Sequence, residues 1–194
     1  MSRLRSFTLD LNPPSDFAPL KSIHEETVKK ILDESNRLAF RAGLGETEKM
    51  HIVLLTEEMI SVLPHLIEYG SGKFWIDCTD DVFELHLIVT PKGASPSKAK
   101  DANAPRTFMG RVLDIFGKAA SRKGSQDEEQ TSWSLESYIE KLKQQDPDNK
   151  SDEWDELEHS ILANIADDVI VKTEKSDVEF VIIKKVTPQE YSFK

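Results

Sequence analysis

The sequence predicts an α+β fold: a two-layer sandwich in which one mostly antiparallel sheet carries helices on one face, with a long helical insert in the second half of the chain. Three observations predict it. Apolar periodicity switches between two and about 3.6 residues along the chain. The segments run strand, helix, helix, strand, strand, insert, helix, strand, strand, which is not the strict alternation of a doubly wound parallel sheet. Two pairs of apolar strands are joined by short polar turns, as in hairpins. At 194 residues the chain has the length of one domain.

The elements follow in order. Residues 4–10, LRSFTLD, alternate as a short strand, with Leu4, Ser6, Thr8 and Asp10 facing one way and Phe7 and Leu9 the other. Asn12-Pro13-Pro14 stops it, because proline cannot donate to a ladder. Residues 20–42 place Ile23, Val28, Ile31, Leu32, Leu38 and Ala39 at helical spacing, and Gly43 marks the stop. Thr47 is a candidate cap for a helix over about 48–68 with Ile52, Leu55, Met59, Leu63 and Leu66 on one stripe, kinked or ended at Pro64. Tyr69-Gly70-Ser71-Gly72 reads as a turn. KFWIDCT (73–79) and VFELHLIVT (82–90) form a hairpin through Asp80-Asp81, and Pro91 ends it. Of the two faces of 82–90, the set Phe83, Leu85, Leu87 and Val89 is more apolar than Val82, Glu84, His86 and Ile88, and is expected to face the core.

Residues 91–104 are polar and proline-bearing, residues 106–121 suit an amphipathic helix weakened by Gly110 and Gly117, and residues 122–131 are polar. SWSLESYIEKLKQQ (132–145) reads as a helix and 146–152 as a break. Residues 153–168 read as a last helix with Leu157, Ile161, Leu162 and Ile165 on its stripe. VIVKTE (169–174) and VEFVIIKKV (178–186) close the chain as a second hairpin through Lys175-Ser176-Asp177.

Charge narrows the function classes. With 25 basic and 35 acidic side chains the net charge is −10, which argues against a partner that is itself a polyanion, nucleic acid or anionic membrane. The distribution is bipolar: eight basic residues lie between Lys92 and Gly124 against Asp101 and Asp114, a local net charge of +6. Cys78 is the single cysteine, so neither an intrachain disulfide nor a thiolate zinc site can form. MSRLRSFTLDLNPP lacks the apolar core of a signal peptide, and no run approaches the roughly 18 apolar residues of a membrane helix. A cytoplasmic protein without an integral membrane segment is expected. The histidines at 24, 51, 65, 86 and 159 show no zinc spacing. Cys78 reads as a small buried hydrophobe, and Trp133 and Tyr138 as core-packing aromatics.

Three stretches, LLTEEMISVLPH (54–65), LIVTPKG (87–93) and ILANIADDVIVKT (161–173), taken in this element order, resemble the histidine-kinase-like ATPase fold, and most of all the anti-sigma-factor serine kinases of bacteria. The resemblance covers about residues 4–90 and 153–186. It implies a single domain of that type over 1–194, with about 94–150 as a lid-like insert. It also implies a nucleotide pocket built from three places. On the second helix the family offers a carboxylate and, four residues on, an asparagine whose amide oxygen holds Mg²⁺. Glu58 matches the carboxylate, but Val62 stands at the asparagine position; shifted by one, Glu57 pairs with Ser61. After the hairpin the family has an aspartate that accepts from adenine, followed by glycine; here Thr90 and Gly93 stand in that stretch. Before the last helix the family has glycines that let backbone N–H groups approach phosphates. Glu156 and Glu158 fall near those positions, and two unit charges about 4 Å apart repel by roughly 4 kcal/mol at an effective dielectric near 20.

The resemblance therefore implies a degenerate member: a regulatory protein-binding module without ATP hydrolysis and with no cofactor. Its partner would be a sigma factor or another partner-switching regulator, and a homodimer is compatible. The rival is an active ATP- and Mg²⁺-dependent serine kinase, with Glu58 as base, Ser61 as substitute metal ligand and Thr90 as adenine contact.

Overall fold

The structure, a computed structural model, describes residues 4–6, 8–11, 20–61, 70–91, 131–145, 157, 160–174 and 177–187. The insert helix expected over 106–121 and the segment around Pro64 lie outside them. The described residues form strands β1 (Leu4–Arg5), β2 (Leu9–Leu11), β3 (Gly70–Thr79), β4 (Val82–Pro91), β5 (Thr131–Ser134), β6 (Asp168–Glu174) and β7 (Asp177–Lys185). The helices are α1 (Leu20–Arg41), α2 (Glu46–Ser61), α3 (Leu135–Gln145) and α4 (Ile161–Ile165). The strands make one seven-stranded sheet in the order β1-β3-β4-β7-β6-β5, with β2 also on β3, and every pairing is antiparallel. The α+β class and the antiparallel sheet are as the sequence predicts. None of the described helices is long and apolar enough to cross a membrane.

One face of the sheet is the core. Cys78, Ile76 and Phe74 on β3 lie opposite Phe83, Leu85 and Leu87 on β4; Leu85 and Leu87 meet Ile182 and Phe180 on β7, and these meet Val169 and Val171 on β6. All of them are buried, in one cluster with Ile31, Leu38 and Ala39 of α1, Ile52, Leu55 and Met59 of α2, Leu135 and Leu142 of α3 and Leu162 of α4. The set Phe83, Leu85, Leu87 and Val89 is the core face, as its apolar content dictates.

The helix ends follow from local chemistry. α1 closes with the Leu44 N–H donating to the Ala39 carbonyl and the Gly43 N–H to the Phe40 carbonyl, with Gly43 at φ 73°. That is a Schellman closure, and it needs the left-handed conformation glycine adopts freely. α2 starts at Glu46, so Thr47 lies inside its first turn rather than at the cap; Glu46 and Glu48 there suit the positive end of the helix dipole.

The sequence reading is corrected in four places. The first strand is two. Arg5 pairs with Asp77 but Leu9 pairs with Phe74, so three residues of the outer strand span two of β3, a bulge. Ser6 holds it, donating its N–H to the Ile76 carbonyl at 2.9 Å and accepting the Ile76 N–H on Oγ at 2.7 Å. The extra residue switches the facing: Leu4 packs on the core side, yet Asp10 points away from it between the inward Leu9 and Leu11. Second, Gly70, Ser71 and Gly72 belong to β3 rather than to a turn, because β4 runs ten residues and keeps its ladder as far as Pro91. Third, Thr131–Ser134 is a strand, and the helix begins only at Leu135. Ser134 Oγ accepts the Ser137 N–H at 3.2 Å as a cap, and Trp133 lies opposite Val171 on the core face. Fourth, the last helix does not run on to residue 168. Ser160 caps a short α4 by accepting the Ala163 N–H, Ala166 is extended, and Asp168 opens β6.

Asp167 pins this crossing. Its N–H donates to the Ile183 carbonyl at 2.9 Å, and its Oδ2 accepts from the Lys185 N–H at 2.7 Å and Lys184 Nζ at 3.0 Å. Burial pushes its carboxyl up, but the Lys185 amide and the Lys184 and Lys185 charges together hold it below the usual aspartate value. A carboxyl depressed in the folded state stabilises the fold above the unfolded pKa, and that contribution is lost as pH falls through the folded pKa. Asp167→Asn is expected to lower stability near neutral pH, with the gap to wild type closing at a pH acid enough to protonate the folded-state carboxyl. Urea melts at both pH values check it.

Candidate functional site

The C-terminal turn of α2 carries the first group of candidates. Glu57 is exposed, as is Ser61, and their spacing puts both on one helix face. Ser61 Oγ donates to the Glu58 carbonyl at 2.7 Å, so the hydroxyl is engaged by its own helix. Glu58 is half-buried, and burial pushes its carboxyl up from the ordinary glutamate value. Thr90 is elsewhere. It alternates with the inward Val89 and lies opposite Ser71, on the face of the sheet away from the helices. The structure thus brings Glu57, Glu58 and Ser61 together on one turn and places Thr90 across the sheet from them. Val62, Gly93, Glu156 and Glu158 lie outside the described residues. Among the described residues no group of three His, Cys, Asp or Glu side chains is placed to hold a metal ion.

Cys78 is buried on the core face opposite Phe83. Burial, with the nearby Asp80 charge, pushes its thiol up to about 11. Since the thiolate is the reactive form, alkylation of the native protein near pH 8 is expected to run about a hundredfold slower than in denaturant. Iodoacetamide kinetics under the two conditions check this.

A second group stands on the sheet face opposite the helices. Trp75 and His86 are paired across β3 and β4 and stack with centroids 4.6 Å apart and planes at 6°. Trp75 Nε1 donates to Asp77 Oδ2 at 3.1 Å, and the Arg5 guanidinium lies 5.3 Å over the Trp75 ring, with its Nε 3.6 Å from Asp77 Oδ1. His86, 14% exposed in its side chain, has Glu179 Oε1 at 3.3 Å from Nδ1, and Glu84 Oε2 and Asp77 Oδ2 at 3.7 and 4.0 Å from Nε2. The stacked pair is therefore fixed by carboxylates on three strands and a guanidinium on a fourth. Sequence reasoning missed it, although the signal was present: a hairpin with only Asp80-Asp81 between Thr79 and Val82 sets the register that puts Trp75 opposite His86.

A third feature is an open cleft of about 410 Å³ between α1 and α2, lined by Leu32, Asp33, Asn36, Glu46, Lys49, Met50 and Val53. Met50 is 59% exposed. Phe40, 69% exposed, follows Leu32 and Asn36 at four-residue spacing on α1, with Lys49 Nζ 5.4 Å over its ring. A scan against protein-family models finds none that matches this chain, and a search of curated proteins finds no match.

Proposed function

We propose that the protein is a regulatory protein-binding module on a scaffold of the histidine-kinase-like ATPase type, acting by binding and release rather than by phosphoryl transfer. The observation that carries this reading is the α1–α2 groove with Phe40 and Met50 exposed beside it. The partner is a protein that lays an apolar segment into the groove. By the resemblance in the sequence, a sigma factor or another partner-switching regulator fits that role.

The test places a photo-reactive side chain at position 50 in cells of the source organism. A single cross-linked protein, lost on Phe40→Asp, is the expected result. Absence of any adduct overturns the groove. Micromolar Mg²⁺-ATP binding by calorimetry, together with phosphate transfer to a protein serine, overturns the reading and installs the kinase alternative. That alternative has one observation in its favour: the carboxyl of Glu58 is raised by burial, in the direction a general base needs.

A further inference from the structure

His86 has one ring nitrogen engaged and one that is not. Nδ1 lies 3.3 Å from Glu179 Oε1, and a carboxylate oxygen can only accept, so Nδ1 is the donor and carries a hydrogen. Nε2 is buried and makes no hydrogen bond among the described residues. It faces two carboxylates instead, Glu84 Oε2 at 3.7 Å and Asp77 Oδ2 at 4.0 Å, both beyond hydrogen-bond reach. The stack on Trp75 fixes the plane of the ring, and Trp75 is itself tied to Asp77 through its Nε1.

The two protonation states of such a ring are not equivalent. With Nδ1 alone protonated, the lone pair of Nε2 points at two negative groups, in a side chain only 14% exposed. With a second proton Nε2 becomes a donor. A movement of about 1 Å then brings Glu84, whose side chain is 45% exposed and has room to move, into a charge-assisted hydrogen bond. The three carboxylates come from each strand around the ring: Asp77 from β3, Glu84 from β4 itself and Glu179 from β7. The cations on this face of the surrounding strands are Arg5, which lies with Asp77 and the Trp75 ring, Lys73, in register with Asp10, and Lys172, in register with Glu179.

We propose that His86 is a proton-operated clasp. Taking up a proton at Nε2, it links Glu84 and Asp77 to Glu179 through one imidazolium, and so fastens the β3–β4 hairpin to β7. Losing that proton releases the clasp. The device is separate from the α1–α2 groove and stands or falls without it. In the unfolded chain no carboxylates are held against the ring, so the contribution of the clasp to stability is present with the proton on and is lost as pH rises through the histidine range.

Nitrogen-15 spectra of histidine-labelled protein and urea melts, both from about pH 5.5 to about pH 8.5, test it; that range lies above ordinary carboxylate titration. The His86 ring is expected to keep its Nδ1 hydrogen throughout and to lose the Nε2 hydrogen as pH rises. Over the same range wild type is expected to lose stability relative to His86→Gln, the ratio of their unfolding constants changing about tenfold. Glu84→Gln keeps the ring but removes one carboxylate facing Nε2, so it is expected to reduce the pH dependence of wild type; it also serves as the comparison if His86→Gln does not fold. A ring that holds one protonation state across the range overturns the proposal, as does a neutral ring with its hydrogen on Nε2. The same pH dependence of stability in wild type and variants overturns it as well.

Discussion

Replacing Phe180 with alanine is expected to destabilise the protein by about 3–5 kcal/mol, the usual cost of emptying a buried phenylalanine site. Phe180 is fully buried on the core face, with Leu87 on one side in register and Val171 on the other. It thus packs at the seam between the two hairpins, and its neighbours sit on strands whose backbone ladders hold them apart. Such a site collapses poorly, which places the cost toward the upper end of the range. Against a total stability of about 5–15 kcal/mol for a domain, the loss is enough to leave a sizeable unfolded population at body temperature. Urea denaturation monitored by tryptophan fluorescence measures it. A change under 1 kcal/mol would show that the seam is not packed as described.

Gly72→Ala is also expected to destabilise the protein, less severely and for the opposite reason. A Cβ at this position would sit 2.7 Å from the Ile88 carbonyl oxygen, with Leu11 next at 3.5 Å. The obstacle is backbone inside a ten-residue pairing, so it cannot swing aside as a side-chain tip would. Overpacking of this kind costs about 1–3 kcal/mol. The strain falls on β2, which reaches the sheet only through Leu9, Asp10 and Leu11. Faster hydrogen exchange at the β2 amides than at the centre of β4 is the second expected result. Equal protection in variant and wild type would refute this account of the glycine.

How much of this was legible in the sequence depends on range. The hairpins were legible because both signals are local: period-two apolar runs and short polar turns around Asp80-Asp81 and Ser176. The core face of β4 was legible because Phe83, Leu85, Leu87 and Val89 outweigh the alternative face. The stop of α1 was legible because Gly43 supplies the one left-handed residue the closure needs. What failed was set by partners distant in sequence. Ser6 makes its bulge only against Ile76, and Thr131–Ser134 is a strand only because β6 offers an edge. The candidate site divides the same way. Spacing put Glu57 and Ser61 on one face of α2, but the direction Thr90 takes is decided by strand parity, which a motif match ignores.

The join between β4 and β7 has a kinetic consequence. His86 and Glu179, which meet across it, are 93 residues apart along the chain. Each hairpin can zip from its own turn on the microsecond scale. Their union must wait for a long excursion of chain to close, and contacts of such separation slow folding. The entropy of that closure grows only logarithmically, by about 0.6 kcal/mol for each doubling of length. The joining of the two hairpins is therefore the slow step in assembling the sheet, and each hairpin by itself the fast one.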